Sequence, residues 1–269
     1  MLALGACDRP TPRLLCHNAN CVEPTDPAQD DSLPTLRESL ALMIAGKPAI
    51  DGIEIDIFWR GVDATCLFAH DLDDERSTLA TEVADELAAH IAAHDVLTAS
   101  PGPFRVNIEL KPHVAPSKTA RHSPEQRTMH ADCVWDVYNR IATAAVANGR
   151  DVEIVFGSFE PALLRAMMER APASTPLRYL YSAFYGIPRP LDPQTRHPIS
   201  DYTGIPITLV EAHPQWINDA QHEGLLSQDV EVLFWMFSAT VETFQAIEQY
   251  EPDWVGTSEA TLMRRWLEY

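Results

Sequence analysis

The chain has 269 residues, of which 39 are Asp or Glu and 20 are Lys or Arg, so its formal net charge is −19. This charge argues against binding to nucleic acid or to an anionic membrane surface, because both need clustered cations on the protein. The length fits one large domain or two small ones, and an apolar fraction of 46% is ordinary for a globular protein. No stretch reaches the roughly 18 apolar residues that predict a membrane span.

The first seven residues resemble the end of a bacterial lipoprotein signal peptide, in which a small residue precedes a lipidated cysteine, here Cys7. The stretch lacks a basic segment, and its apolar run is too short for a complete signal. The match is either fortuitous or the sign of a truncated or misassigned start. We treat residues 1–12 as an N-terminal tail. The two expected locations are the bacterial envelope, by export and lipid anchoring, and the cytoplasm.

Short strand-like runs alternate with longer helical patterns from Arg13 onward. The Pro-rich crossover Ser182–Pro206 is irregular, so we expect its helix to be short or missing. The predicted strands are Arg13–Cys16, Ala49–Phe58, Phe104–Leu110, Val152–Phe156, Leu177–Tyr181, Ile207–Val210, Val230–Met236 and Trp254–Val255. The predicted helices are Thr35–Ala45, Leu79–His94, Thr128–Ala147, Glu160–Ala171, Pro214–Glu223, Thr240–Gln249 and Glu259–Leu267.

This alternation predicts βαβ units and therefore a parallel sheet. Eight such units suit an α/β fold of the closed (β/α)8 or TIM barrel type, whose usual size is about 250 residues. An open doubly wound sheet is the alternative, but the Gly-rich turn expected after its first strand does not follow Cys16. We therefore predict a single barrel domain over residues 13–269.

The ends of several predicted helices carry recognisable signals. Ser32 or Thr35 can cap the first helix, and Gly46 is expected to end it. Pro161 falls in the first turn of another helix, where its missing N–H has no cost.

The five cysteines show no CxxC spacing typical of zinc or redox sites. Cys16 and Cys21 flank His17 closely enough to form a local disulfide if the protein is exported. Buried free thiols are the expectation for Cys66 and Cys133.

Two carboxylates, Glu54 and Asp56, alternate with Ile53, Ile55 and Ile57 in the predicted buried strand Ala49–Phe58. Side chains at positions i and i+2 of a strand point to the same face of the sheet. A buried strand rarely carries two acids on one face unless a cation compensates for their desolvation. A hard divalent cation with oxygen ligands is the simplest candidate. His70 ends the next apolar run, and an imidazole beside such a pair suits acid/base chemistry.

In a (β/α)8 barrel, functional side chains cluster at the C-terminal ends of the strands. Candidate residues occur at that end of seven of the predicted strands, and we expect them to meet at one mouth of the barrel. They are His17, Glu54, Asp56, Glu109, Lys111, Ser158, Tyr181, Glu211, His213 and Trp235.

The order of these residues resembles the motif order of the glycerophosphodiester phosphodiesterases, over most of the chain from Arg13 to Leu267. The resemblance implies a phosphodiesterase with a TIM barrel and one divalent metal ion, Mg²⁺ or Ca²⁺. The matching pieces are His17, Glu54-x-Asp56, His70-Asp71, Glu109-x-Lys111, the run from Gly157 to Pro161 and, more weakly, the region of Trp235.

The resemblance also implies roles for single residues. Glu54, Asp56 and Glu109 would hold the metal, His17 and His70 would form the acid/base pair, and Lys111 would stabilise charge on the phosphoryl oxygens. The residues expected to contact substrate are Asn18, Asn20, Ser158, Tyr181, Glu211 and Trp235.

The sequence departs from the family pattern at two points. The family usually has Arg directly after the first His, whereas this chain has Asn18, which can replace the guanidinium only as a neutral donor. The short spacing between His70 and Glu109 leaves little room for the insertion that shapes a glycerol pocket in many bacterial members. This spacing, with Trp235, is also similar to the sphingomyelinase D and phospholipase D toxins, which carry Asp-x-Lys in place of Glu109-x-Lys111.

The leading hypothesis is metal-dependent hydrolysis of a phosphodiester in a glycerophosphodiester or lysophospholipid-type substrate. A sphingomyelinase D or phospholipase D-like lipid phosphodiesterase is the second. A catalytically silent barrel that binds a phosphorylated ligand or a partner protein is the third. The expected partner is a small-molecule or lipid phosphodiester substrate, and no nucleic acid is expected.

Overall fold

The computed structural model describes residues 11–70, 77–114, 117–171, 178–182, 199–212, 230–235 and 238–268. Its helices are α1 (Leu33–Leu40), α2 (Ala80–Ala93), α3 (Pro124–Ala147), α4 (Pro161–Arg170), α5 (Val241–Tyr250) and α6 (Ala260–Glu268). Its strands are β1 (Arg13–Cys16), β2 (Met43–Ile44), β3 (Lys47–Pro48), β4 (Gly52–Arg60), β5 (Thr65–Phe68), β6 (Thr78–Leu79), β7 (Phe104–Leu110), β8 (His113–Val114), β9 (Ser117–Arg121), β10 (Val152–Gly157), β11 (Arg178–Ser182), β12 (Ile207–Ala212), β13 (Glu231–Trp235) and β14 (Trp254–Thr257).

One parallel sheet organises the molecule. Its strands follow in the order β1, β14, β13, β12, β11, β10, β7, β4, and the antiparallel β5 and β6 extend it beyond β4. The sheet curls, because β1 pairs in parallel with β14 and also with β4, where Leu15 lies opposite Gly52 and Cys16 opposite Ile53. The predicted α/β fold with a parallel sheet is thus confirmed. The predicted helix Pro214–Glu223 lies outside the described residues.

The curled sheet separates two hydrophobic layers. In β4, Ile53, Ile55 and Ile57 belong to the large core that also contains buried residues of α2 and α3. The alternate residues of the strand therefore face the inside of the curl. Inside lies a smaller core of Leu15, Val155, Leu209, Leu233 and Trp254. Because of this alternation, the side chains of Glu54 and Asp56 point to the inside of the curled sheet, on the same face as Gly52.

A buried arginine fills the interior of the curled sheet at the amino ends of the parallel strands. Arg105 is 1% exposed and donates to Glu153 at 2.7 Å and to Glu231 at 2.6 Å. Its guanidinium also stacks 4.0 Å from the ring of Trp254. This end of the sheet is thus packed and neutralised, which leaves the opposite, carboxyl end for a cavity.

The first helix differs from its predicted span. It begins at Leu33 and ends at Leu40, and the Oγ of Ser32 accepts a hydrogen bond from Thr35 N at 3.4 Å as its cap. Gly46 does not end this helix. It occupies a turn between β2 and β3 with Ala45, and both have positive φ, 82° and 49°. Such a two-residue hairpin turn needs left-handed backbone at both positions, which glycine adopts without strain.

The cysteines form two disulfides in the described residues. Cys16 pairs with Cys21, as the sequence suggested for an exported protein, with 5.5 Å between their Cα atoms. The expectation of free thiols at Cys66 and Cys133 is wrong, because the structure pairs them at a Cα separation of 6.0 Å. The sequence could not reveal this pair, since it joins β5 to α3 across 67 positions.

Candidate active site

A cavity of about 450 Å³ lies at the carboxyl end of the parallel strands. It gathers side chains from β4, β7, β12, β13 and the turns that follow the strands, as expected for this end of a parallel sheet. Most of the predicted site residues line it. These are His17, Asn18, Glu54, His70, Glu109, Lys111, Glu211 and Trp235.

Three buried carboxylates cluster at this cavity: Glu54 and Glu109 line it, and the fully buried Asp56 lies beside them. Each of Glu54, Asp56 and Glu109 offers an oxygen within 4.8 Å of the others. The strand register explains this, because Asp56 lies directly opposite Glu109 in the β4–β7 pair. Oδ1 of Asp56 makes no hydrogen bond to any described residue. Three convergent carboxylates with an unsatisfied oxygen suit a hard divalent cation.

Lys111 supplies positive charge beside these acids. Its Nζ lies 2.7 Å from Asp56 Oδ2 and 3.1 Å from Glu109 Oε1. Burial alone would lower the pKa of Lys111, but the charges of Asp56 and Glu109 outweigh it and raise that pKa well above its ordinary value. Lys111 is therefore a permanent cation at neutral pH.

One lysine does not neutralise the acids of the cavity. Burial, followed by the charges of Glu211 and Asp56, raises the pKa of Glu54 well above its ordinary value. Burial also raises the pKa of Glu109 to about 7, although Lys111 opposes the shift. The carboxyl groups of the site therefore resist being ionised all at once, and a bound divalent cation would stabilise their ionised forms.

The turn after β1 presents His17. Asn18 and Ala19 have left-handed backbone, with φ of 49° and 54°, and the Cys16–Cys21 disulfide brackets the turn. Asn18 N donates to Glu54 Oε2 at 3.3 Å. Burial, then the charges of Lys111 and His70, lowers the pKa of His17 to about 3. The imidazole of His17 is therefore neutral at pH 7.

Trp235, near the end of β13, contacts His17 across the cavity. Its indole Nε1 donates a hydrogen bond of 2.9 Å to His17 Nε2. The same Nε2 lies 3.6 Å from Glu54 Oε2, which is beyond hydrogen-bond distance. The sequence placed Trp235 at the cavity but gave no sign of this bond.

Two acids that the sequence assigned only to an irregular segment belong to the site. Asp31 is 1% exposed, its Oδ1 accepts from Asp56 N at 3.0 Å, and its own N–H donates to Asn18 O at 2.8 Å. Asp30 lines the cavity and accepts from the amide groups of Asn18 at 3.1 Å and Asn20 at 2.7 Å. The only sequence signal was an acidic pair directly before the Ser32 cap.

Some predicted substrate contacts do not line the cavity. The amide of Asn20 is directed at Asp30 and at the carbonyl of Asp26, at 2.9 Å. The hydroxyl of Ser158 donates to Leu110 O at 2.7 Å and accepts from Glu160 N at 3.1 Å, so it braces the turn after β10.

The structure describes no side chain at three further predicted positions. For Tyr181 only its backbone position in β11 is described, and Asp71 and His213 lie outside the described residues. The cavity lining also includes residues that were not predicted for it, namely Thr25, Pro27, Asp30, Phe159, Ser238 and Ser258.

None of the helices in the described ranges is long and apolar enough to cross a bilayer. The sequence matches no protein-family model and no curated protein.

Solved structures resemble the chain over nearly its whole length. A glycerophosphodiester phosphodiesterase from Parabacteroides distasonis aligns with a TM-score of 0.58 and 12% identity, covering 97% of this chain and 98% of its own. One from Thermotoga maritima gives 0.54 and 15%, covering 95% and 98%. A phosphodiesterase from Oleispira antarctica, solved with the product sn-glycerol-3-phosphate, gives 0.59 and 13%, covering 96% and 97%. At these identities the likeness shows the fold, and the chain therefore has the fold of glycerophosphodiester phosphodiesterase structures.

Proposed function

We propose that the protein is a metal-dependent phosphodiesterase that hydrolyses a glycerophosphodiester or a lysophospholipid-type substrate. One observation carries the proposal: a cluster of three buried carboxylates borders a cavity that is also lined by a largely buried lysine and two histidines. The shared fold supports it, as does the relative from Oleispira antarctica bound to sn-glycerol-3-phosphate. The combination suits phosphoryl chemistry, which needs positive charge at the phosphate and proton transfer at two oxygens.

Glu54, Asp56 and Glu109 would hold one divalent cation, Mg²⁺ or Ca²⁺. When bound there, such a cation supplies Lewis-acid neutralisation of the charge that develops on the phosphoryl oxygens. Lys111 adds a second positive charge next to the same acids. Asn18 contributes only neutral donors, so the chain depends on Lys111 more than a relative with Arg at this position would.

His17 and His70 would transfer the protons. One takes the proton of the attacking hydroxyl, which belongs to water or to a neighbouring group of the substrate that closes a cyclic phosphate. The other gives a proton to the leaving alkoxide. Both rings line the cavity, and their charges interact, since His70 lowers the pKa of His17. General acid/base catalysis of this kind contributes roughly 10²- to 10⁴-fold.

The test is hydrolysis of glycerophosphocholine by the purified protein with Mg²⁺ or Ca²⁺. We expect turnover that chelator abolishes, and loss of roughly 10²-fold or more in His17→Ala and in His70→Ala while both variants stay folded by circular dichroism. His94→Ala, an exposed histidine outside the cavity, is the matched control and should keep full activity. Turnover that survives chelation would refute the metal, and near-wild-type rates in either histidine variant would refute the acid/base pair.

A phospholipase D-like activity on lysolipids or sphingomyelin is the second candidate. The observation that favours it is the short segment before β7, where the described residues contain only β6, α2 and loops. This segment therefore leaves little room for a glycerol-pocket insertion. Comparing the products from glycerophosphocholine and lysophosphatidylcholine separates the two activities. Tight binding of a phosphodiester without turnover would instead indicate a silent barrel.

We further propose that the curled sheet is a complete (β/α)8 barrel forming one domain over residues 13–269, preceded by the tail 1–12. The two-sided pairing of β1 and the shared fold support this, and an experimental structure that includes all crossovers would test it.

Two disulfides favour an exported protein. Recovery of the protein only from the cytosolic fraction of its cell would contradict export.

A further inference from the structure

The hydrogen bond between Trp235 and His17 determines where the imidazole carries its hydrogen. The two residues are 218 positions apart and meet at 2.9 Å between Nε1 and Nε2. An indole nitrogen can only donate, so Nε2 of His17 must accept. The neutral ring of His17 therefore has its hydrogen on Nδ1 and a lone pair on Nε2.

Glu54 Oε2 is a second neighbour of the same nitrogen and lies 3.6 Å from His17 Nε2. A hydrogen on Nε2 would clash with the indole N–H of Trp235. The distances favour Trp235, because 2.9 Å is a hydrogen bond and 3.6 Å is not.

We propose that Trp235 is a positioning residue that holds His17 in the tautomer whose Nε2 lone pair is available in the cavity. The inference rests on the proposed function, since the lone pair matters only if His17 accepts a proton there. In that step the attacking O–H bond breaks, an N–H bond forms at Nε2, and the attacking oxygen bonds to phosphorus. The bond from phosphorus to the leaving oxygen breaks, and that oxygen receives its proton from His70.

The attacking hydroxyl takes the place of the indole N–H at Nε2. Both groups donate to the same lone pair, so the exchange needs no change of tautomer. Without Trp235, the ring loses the donor that requires an acceptor at Nε2, so the tautomer with hydrogen on Nε2 becomes accessible. Loss of the indole N–H should therefore slow the chemical step rather than weaken substrate binding.

The substitution Trp235→Phe removes the N–H and keeps an aromatic ring. We expect kcat to fall by about 3- to 10-fold, the value of one neutral hydrogen bond, and KM to change by less than about twofold. The matched control is Trp266→Phe. Trp266 stacks on Phe244 with 4.0 Å between ring centroids and is outside the cavity lining, so its variant should keep both constants.

The tautomer itself can be measured without substrate, by ¹⁵N NMR of the histidine rings, with His17→Ala to assign the His17 signals. We expect hydrogen on Nδ1 of His17 in the wild type and a shift towards hydrogen on Nε2 in Trp235→Phe. A wild-type His17 with hydrogen on Nε2 would overturn the inference. So would a variant with unchanged kcat. If the wild type cleaves no phosphodiester, the proposed function fails, and the NMR result still decides the tautomer.

Discussion

At the scale of single residues, the acidic triad of Glu54, Asp56 and Glu109 is the strongest indication of a bound cation. Glu109→Gln keeps the size of the side chain but removes one negative charge from the three oxygens that converge within 4.8 Å. We expect affinity for Ca²⁺ or Mg²⁺ to fall by at least about 10- to 100-fold, which is the loss that outer-shell changes alone produce. Isothermal titration calorimetry of the whole chain measures this directly.

A surface glutamate provides the control for this measurement. Glu86 pairs with Arg37 on the outside of α2, and Glu86→Gln should bind the cation as the wild type does. Equal affinity in Glu109→Gln and Glu86→Gln would show that the triad is not the cation site.

The residues of the triad were predictable because strand geometry is regular. Glu54 and Asp56 share a face by the two-residue period, and Glu109 lies at the end of the adjacent strand in the parallel order. Asp31 and the bond of Trp235 to His17 were not predictable, because both depend on the path of an irregular turn. That path places Asp31 N beside Asn18 O and His17 Nε2 beside an indole from β13.

At the scale of elements, the turn between Cys16 and Cys21 links the fold to the site. The turn carries His17, and α1 supports it, since Ser39 Oγ donates to Ala19 O at 3.0 Å and accepts from Cys21 N at 3.2 Å. The disulfide constrains two residues with left-handed backbone that disfavours side chains with a Cβ. This bond should therefore act mainly on catalysis.

A pair of double variants separates the two disulfides. Removing Cys16–Cys21 as the double alanine variant should lower kcat by about 10- to 100-fold, because small misplacement of a reacting group is costly. Its stability should fall by about 2 kcal/mol, the chain-entropy value for so short a loop. The Cys66–Cys133 disulfide closes a far longer loop, so its double alanine variant should lose about 4 kcal/mol of stability and keep its kcat.

Urea unfolding and steady-state kinetics under conditions where both variants are folded supply these numbers. Equal loss of kcat in the two variants would show that the Cys16–Cys21 bond has no special effect on His17.

Element boundaries were predictable where one local signal dominated. The apolar runs of β1 and β7 matched the strands, and Ser32, one of the two predicted caps, does cap α1, although the helix begins at Leu33 rather than at Thr35. The end of α1 was missed because Gly46 is a plausible helix terminator as well as a hairpin residue. Only pairing of β2 with β3 distinguishes the two uses, and that pairing is a tertiary fact.

At the scale of the whole molecule, the repeated strand–helix alternation was sufficient to predict a parallel α/β sheet. The chain's own chemistry then distinguishes the two ends of that sheet. The amino end is closed by Arg105 with Glu153, Glu231 and Trp254, whereas at the carboxyl end some carboxylate oxygens of Asp56 and Glu109 accept no hydrogen bond from the described residues. The distribution of buried charge along the interior thus separates a neutralised end from the end at which we propose the active site.

The stability of the whole fold should depend on pH through a histidine that does not line the cavity. His130 of α3 is fully buried, and its Nε2 donates to Ile57 O at 3.0 Å. Burial, then the charge of His122, lowers the pKa of His130 to about 3. An unfolded histidine titrates near 6.5, so the unfolded state binds more protons below that pH. The stability that neutral His130 contributes is complete above about pH 6.5 and is lost as the pH falls towards about 3.

This linkage amounts to about 2 kcal/mol less stability at about pH 5 than at about pH 7.5 from His130 alone. His130→Gln retains a donor for Ile57 O without a titratable ring, so its unfolding free energy should change less between the two pH values than that of the wild type. Urea unfolding at both values measures the difference. His94→Gln, at an exposed position, should keep the wild-type dependence. A His130→Gln protein with the full wild-type loss would show that the buried ring does not control acid stability.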